Sequence, residues 1–283
     1  TITRYAVACP DSVVAIQSKK DKANTIFLKN LIDLQKEVLD SQATQNAQKN
    51  INLQVLKPLE LFAPSIEEQS KIASFLSAVD EKIGQLTQKQ ELLRQYKQGM
   101  MQKLFSQQLR FKADDGSKFG EWEKTTLEKI GTFLKGKGIS KADIVSDGQV
   151  PCVRYGELYT HYGEVISKVI SATNIDVNNL VLSKANDILI PASGETQIDI
   201  ATASCVLHDD VALSGDLNIF RTKENGVFLS YLIRSHLKMQ IAQLAQGNSV
   251  VHLYSSQLKG VRLNLPCLEE QTKIANFLST IDQ

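Results

Sequence analysis

The sequence contains one motif twice, in two copies that lie 202 residues apart. The first copy, from Pro64, reads PSIEEQSKIASFLSAVD, and the second, from Pro266, reads PCLEEQTKIANFLSTID. A weaker match precedes each copy, at residues 25–42 and 226–243, and each of these two stretches has the pattern of an amphipathic helix. A repeat this long indicates a duplicated domain and excludes a solenoid of short units.

The first copy of the motif opens a predicted helix of about 45 residues. Ser65 and Glu68 have the spacing of a capping box. From there apolar residues recur at alternating intervals of four and three, which is the heptad pattern of a coiled coil. We define the apolar seam as the following residues: Ile72, Leu76, Val79, Ile83, Leu86, Gln90, Leu93, Lys97, Met100 and Leu104. Polar residues at two of these positions are typical of seams that fix register or partner.

Two questions about this helix stay open from the sequence. It serves either as a spacer between two copies of one domain or as a long helix packed on its own domain. Its C-terminal half is basic, with six lysines and arginines against Glu91 over residues 84–112. Such a face contacts phosphates, contacts an acidic protein partner, or is simply solvated.

Residues 113–266 alternate short β-rich runs with polar turns. The runs VPCVRYGEL, EVISKVI, DILIPAS, ASCVL, DVALSG, LNIFR and GVRLNLP read as strands, and VFLSYLIRSHLKMQIAQLAQ reads as helix. Many short strands with one or two helices predict an α/β (α+β) domain built on a curved mixed sheet.

Several loops of this region have the chemistry of a nucleic-acid contact. Cations beside amphipathic rings on glycine-flanked backbone are suited to phosphates and base edges. In the first loop these are Lys135, Lys137, Lys141 and Arg154, with Tyr155, Tyr159 and His161. Two later glycine-bearing turns contribute Ser193, Glu195, Thr196, Asn248 and His252. Solvated lysines, core tyrosines and ordinary turns are the alternative interpretation of the same residues.

Composition and motifs argue against catalysis in this chain. The net charge is +1, so the chain has no global field that attracts nucleic acid. The near match to a phosphate-binding loop at 131–138 ends in Gly138, where magnesium binding needs a hydroxyl. We therefore expect no cofactor and no metal. Four separated cysteines are typical of reduced thiols in cytoplasm, and no membrane span is expected.

The paired P-x-x-EEQ-x-KIA-x-FLS motifs resemble the conserved regions of type I restriction–modification specificity subunits. So do FKADDGSKFGEWEKTTLEKIG, GKGISKADIVSDGQVPCVRYGELYTHYGE, DILIPASGET and ALSGDLNIF, which occur in the family's order over nearly the whole chain. The resemblance implies a non-catalytic subunit that reads double-stranded DNA. Each of two target-recognition domains would read half of a bipartite site, and two antiparallel conserved helices would dock methyltransferase subunits. Restriction subunits would join through that complex.

The resemblance also implies a division of the chain into four segments. Residues 1–64 would be the end of the first target-recognition domain, 65–112 the central coiled-coil spacer helix, 113–266 the second target-recognition domain, and 267–283 the start of the distal helix. We accordingly expect a fragment or a partly observed chain, since most of the first domain is missing. The competing hypothesis is a truncated assembly scaffold or half-subunit that self-associates through the apolar seam.

Overall fold

A computed structural model describes residues 1–3, 5, 7–10, 13–42, 51, 53–247 and 250–282, apart from the side chain of Gln42. The chain forms two compact units, residues 1–92 and 93–283. Among the helices of these residues, none combines the length and the apolar character needed to cross a bilayer.

The regular secondary structure of the first unit, in its described part, is helical. Its helices are α1 (Thr25–Leu34), α2 (Lys36–Gln42), α3 (Leu53–Leu56) and α4 (Ile66–Phe105), the last of which continues into the second unit. The single helix predicted over residues 25–42 is wrong, because α1 ends at Leu34, with Gln35 as its C-cap, and α2 begins at Lys36. Asn24 caps α1 by accepting hydrogen bonds from the backbone N–H groups of Ile26 and Phe27.

Helix α4 is unbroken over 40 residues, about 60 Å at 1.5 Å per residue. The Ser65 hydroxyl accepts the Glu68 backbone N–H at 3.3 Å, which is one half of the predicted capping box. The other half is wrong, because within the described residues the Glu68 side chain does not accept the Ser65 N–H. The helix ends earlier than predicted, because Gln107 adopts a left-handed conformation with φ of 61°. The Gln107 N–H donates to the Leu104 carbonyl and the Leu109 N–H returns to the Lys103 carbonyl, both at 3.0 Å, so the last carbonyls of the helix are satisfied by the chain that follows it.

The second unit is built on short strands. They are β1 (Glu123–Thr126), β2 (Gly131–Lys135), β3 (Val150–Val153), β4 (Val165–Ile166), β5 (Ser171–Thr173), β6 (Ile188–Pro191), β7 (Ser193–Gly194), β8 (Ser204–Val206), β9 (Ala212–Leu213), β10 (Leu217–Thr222), β11 (Val251–His252) and β12 (Arg262–Leu265). The central sheet has the order β2-β10-β6-β8-β4, and β5-β3-β9 forms a second sheet. Both are mixed, since β4–β8 and β3–β9 are parallel pairs and the others are antiparallel. The pairs β1–β12 and β7–β11 complete the strand pairing.

The helices of the second unit are short apart from two. They are α5 (Leu127–Ile130), α6 (Glu157–Thr160), α7 (Gln197–Ile200), α8 (Gly226–Arg234), α9 (Lys238–Ala242), α10 (Ser255–Lys259) and α11 (Leu268–Ile281), with 3-10 turns at Lys141–Asp143 and Val177–Asn179. Here too the single helix predicted over 226–243 is wrong, because α8 ends at Arg234 and α9 begins at Lys238. Phe228, Tyr231 and Leu104 belong to the largest core cluster.

The predicted α+β fold with curved mixed sheets and a long helix is confirmed. Along the apolar seam, burial varies strongly with position. Leu104 is fully buried and Lys97 lies in an ion pair, whereas Val79, Ile83 and Leu86 are 40–56% exposed. The seam is therefore covered near the end of α4 and open in the middle.

The duplication predicted from the repeat has a structural counterpart in each unit. In the first, the Asn24 backbone N–H donates to Oε1 of Gln69 at 3.0 Å. In the second, the Asn225 backbone N–H donates to Oε1 of Gln271 at 3.0 Å. Gln69 and Gln271 are both nearly fully buried, and each also donates to the carbonyl of its motif proline. In each unit, the equivalent glutamine of the repeated motif thus links the motif helix to the residue that precedes the neighbouring helix.

Candidate nucleic-acid interface

The turn Ser214–Asp216, which joins β9 to β10, organises one end of the central sheet; we call it the central turn. At this end β2 finishes with Lys135, β10 begins with Leu217, and β6 finishes with Pro191. Since β10 pairs antiparallel with both neighbours, these three strand ends lie side by side. Loops that leave them are therefore brought together.

Residues 135–141, which we call the lysine loop, begin at the last residue of β2. The backbone of this loop is hydrogen-bonded to the central turn and to the strand residue before it. The Lys137 N–H donates to the Leu213 carbonyl at 3.0 Å, and the Gly215 N–H donates to the Gly138 carbonyl at 3.0 Å. A Cβ at Gly136 would lie 1.9 Å from the Ser214 carbonyl oxygen, so only glycine allows this approach. Lys135 and Lys137 are exposed on this fixed backbone.

Lys141 lies slightly further along, in the first 3-10 turn. Ser140 caps that turn, and both its backbone N–H and its hydroxyl donate to Oδ2 of Asp143, at 2.7 and 2.6 Å. These bonds lower the pKa of the Asp143 carboxyl. Lys141 is exposed at the start of the turn. The three lysines predicted for phosphate contact are thus exposed on one ordered loop.

Arg154 follows β3, which is also joined to the central turn, since the Ser214 N–H donates to the Val153 carbonyl at 3.1 Å. The guanidinium of Arg154 lies 3.3 Å from the carboxylate of Glu157, a residue that is only 3% exposed. The Arg154 backbone N–H donates to the same carboxylate at 3.0 Å. Arg154 Nε is buried without a hydrogen-bond partner in the described part of the chain. Arg154 therefore supports its own loop, and its contact with a phosphate or a base edge stays a prediction.

The predicted tyrosines, Tyr155 and Tyr159, lie near the turn that carries Glu195. The rings of Tyr155 and Tyr159 are 6.4 Å apart between centroids. Burial raises the pKa of Tyr159, and the nearby groups of Tyr155, Glu195 and Asp199 raise it further. His161 is exposed, with Nδ1 2.7 Å from the Thr160 hydroxyl. The turn that carries Glu195 thus lies near enough to Tyr159 to influence the pKa of its hydroxyl.

The turns that carry Ser193 and His252 are paired as strands β7 and β11. The Ser193 hydroxyl is hydrogen-bonded to Nδ1 of His252 at 3.2 Å. This pair is tied to the central turn through Ala192, whose N–H donates to the Asp216 carbonyl at 2.9 Å. The Leu253 N–H donates in turn to the Ala192 carbonyl at 3.0 Å.

The remaining candidates divide by what their side chains do. Thr196 caps α7, because its hydroxyl accepts the Asp199 N–H at 3.1 Å and donates to the Asp199 carboxylate at 2.6 Å. The Thr196 hydroxyl thus serves the cap, and both Thr196 and Glu195 are exposed. Asn248 lies outside the described residues.

Sequence reasoning missed two features of this end. One is the central turn itself, which three segments contact, although ALSGDLNIF was among the motifs with family resemblance. The second is Tyr254, which is 55% exposed and stacks on His252 with 6.2 Å between ring centroids. An aromatic residue two positions after a candidate turn was the available signal.

Comparison with known families decides the assignment. The model of the type I restriction modification DNA specificity domain matches residues 2–95 and 120–283. The chain belongs to this family. The two matched segments each contain one copy of the repeated motif, and together they cover most of the sequence.

Curated relatives of this specificity chain come from Methanocaldococcus jannaschii. The type I restriction enzyme MjaVIII specificity subunit is 26% identical over 96% of this chain and 66% of its own length. The putative type I restriction enzyme MjaX specificity subunit is 29% identical over 83% of this chain and 55% of its own length. The chain thus spans between about half and two thirds of these relatives.

A solved structure supports the fold. It is described as the structural basis underlying complex assembly and conformational transition of the type I R-M system. The solved chain is 15% identical in sequence to the present chain, and the two superpose with a TM-score of 0.54. The match covers 95% of the present chain and 66% of the solved chain. Within the residues that our structure describes, no group of three or more His, Cys, Asp or Glu side chains is placed to hold a metal ion.

Proposed function

We propose that this chain is a non-catalytic DNA-specificity subunit and that the end of the sheet around the central turn reads one half of a bipartite site. The convergence of the lysine loop, the Arg154 segment and the β7–β11 pair on the central turn carries this proposal. Backbone anchoring presents exposed cations, rings and hydrogen-bonding groups on a fixed frame. Phosphate contacts position such a frame on a duplex, and base-edge contacts give it specificity.

The charge distribution supports a division of labour in the proposed complex. With a net charge of +1, this chain has no large excess of positive charge for binding phosphates. We therefore assign much of the phosphate binding, and all of the chemistry, to methyltransferase subunits docked on the conserved helices. Restriction subunits would join through those methyltransferases. In this proposal α4 is the spacer, residues 113–266 are the recognition domain, and the complex is cytoplasmic.

Arg154 gives a test of base reading. Replacing Arg154 with alanine should relax recognition at one base position, with a cost of about 1–3 kcal/mol for the preferred base. Base-resolved mapping of methylated sites, with the cognate methyltransferase subunit present, measures this effect. Lys223→Ala is the control, because Lys223 is exposed at the opposite end of β10. Equal weakening at every site position would show that Arg154 only supports Glu157 and does not read a base.

A second candidate function, assembly through the long helix, is favoured by the open part of the apolar seam. Val79, Ile83 and Leu86 are 40%, 56% and 54% exposed on consecutive turns of α4. Exposed apolar stripes of this kind mark association surfaces. We therefore propose that the isolated chain self-associates through this stripe.

Light scattering on the purified chain tests self-association. We expect a dimer or larger species, and we expect the double variant Ile83→Lys, Leu86→Lys to raise the apparent dissociation constant at least tenfold. Two buried charges in a coiled-coil interface account for that loss. Gln88→Lys, on an exposed polar position of the same helix, is the matched control and should leave association unchanged. A strictly monomeric wild-type chain would contradict the proposal.

A further inference from the structure

The two copies of the repeated motif differ in what covers one side of the helix. We define the outer face of α4 as Glu68, Lys71 and Phe75; its counterparts on α11 are Glu270, Lys273 and Phe277. The opposite side of each helix is buried to the same extent, since Ala73 and Ala275 are both 2% exposed. The comparison therefore isolates the outer face.

On α11 the acidic counterpart is enclosed by donors. Glu270 is fully buried, and Arg110 reaches it with two hydrogen bonds, Nε to Oε1 at 3.1 Å and Nη2 to Oε2 at 2.7 Å. Nε1 of Trp122 donates to Oε2 at 3.1 Å. The planar fork of an arginine matches a carboxylate in this two-bond geometry.

The other two counterparts on α11 are covered by the same stretch of chain. Lys273 forms an ion pair with Asp114 at 2.5 Å and also donates to the Lys112 carbonyl at 2.8 Å. The ring of Phe277 packs edge-on against Phe111, with 5.6 Å between centroids. Residues 110–122 therefore supply every one of these contacts.

On α4 the equivalent residues have no such cover. Glu68 and Lys71 are exposed, and Phe75 is 68% exposed. Within the described residues, the side chains of these three make no hydrogen bond, ion pair or ring contact. The outer face of α4 thus exposes a carboxylate, an ammonium group and a large aromatic ring at the positions whose counterparts on α11 are bound by residues 110–122.

We propose that the outer face of α4 is a docking surface for a polypeptide segment with the chemistry of residues 110–122. The segment carries an arginine for Glu68, an aromatic residue next to it for Phe75, a carboxylate about four positions on for Lys71, and a tryptophan about twelve positions on that shares Glu68. Charge complementarity at both ionic positions and the equivalent contacts on α11 determine this occupant. The outer faces of α4 and α11 can be compared residue by residue, because Gln69 and Gln271 make equivalent hydrogen bonds at equivalent positions of the two helices.

A fluorescein-labelled peptide with the sequence of residues 105–126 is the probe, titrated with the full 283-residue chain by fluorescence anisotropy. Glu270 is already occupied by its own intramolecular partner, which excludes the peptide from α11. We expect saturable binding that Glu68→Gln weakens at least tenfold. A peptide carrying Arg110→Met should lose affinity to the same extent. Glu60→Gln, at another exposed carboxylate of the first unit, should change affinity less than twofold.

A photo-crosslink tests the register of the docked peptide. With p-benzoylphenylalanine in place of Phe75, crosslinks should concentrate at Phe111 of the peptide, the equivalent of the Phe277–Phe111 contact. The same group in place of Leu34, which is 78% exposed on α1, is the control and should give no such adduct. Absence of saturable binding, equal affinity for Glu68→Gln, or no excess of crosslinks at position 75 over position 34 would each overturn the proposal.

Discussion

Replacing Arg110 with methionine is expected to lower the free energy of unfolding of the second unit by about 3–5 kcal/mol. The change leaves the fully buried carboxylate of Glu270 without its cation, and only Trp122 still donates to it. Breaking a buried ion pair by removing one partner has a cost of this size. For a unit of this size, each kcal/mol lowers the melting temperature by roughly 2–4 °C.

Differential scanning calorimetry of the full chain measures this loss, and an exposed ion pair provides the control. Lys259 lies 3.6 Å from Glu128, with side chains that are 47% and 64% exposed. Lys259→Met should therefore cost less than about 1 kcal/mol. A loss for Arg110→Met no larger than that of the control would show that the buried cluster does not hold α11 in place.

The sequence was sufficient to predict features that depend on local pattern. The motif starting at Pro64 predicted the start and capping of α4, because a serine followed by acidic residues satisfies the first amides of a helix. The runs DILIPAS and LNIFR predicted β6, which is buried throughout, and β10, whose first four residues are buried. The repeat predicted that both units share a construction, and the bonds of Gln69 and Gln271 show it.

Features that depend on distant parts of the chain could not be predicted in this way. The same EEQ motif gives an exposed Glu68 and a buried Glu270, because burial depends on whether a segment such as 110–122 lies against the helix. The end of α4 depends on Gln107 adopting a positive φ, which nothing in its residue type requires.

The candidate interface shows the same limit. Residue chemistry selected Lys137, Ser193 and His252 separately, and pairing across the sheet brought their segments together. The central turn escaped notice because its role consists of backbone hydrogen bonds, which have no residue signature. Thr196 was selected for its hydroxyl, which the structure uses to cap α7.

Simultaneous replacement of Lys135, Lys137 and Lys141 with alanine should have the largest effect on DNA binding. Each phosphate contact contributes about 0.9 to the slope of log K against log salt on duplex DNA. Losing three contacts should therefore reduce the magnitude of the slope by about three units and weaken all sequences alike. Salt titrations of a mixed-sequence duplex measure the slope, with the cognate methyltransferase subunit present.

The control for this measurement uses three exposed lysines of the same unit that lie outside the loops joined to the central turn. Lys124, Lys129 and Lys223 are exposed before β2 or after β10, away from the central turn. Replacing them with alanine removes the same charge from the same unit. If the end of the sheet around the central turn is the DNA-contacting surface, only the first triple variant loses slope. Equal slopes for the first variant and the wild type, or an equal loss in both triple variants, would contradict that account.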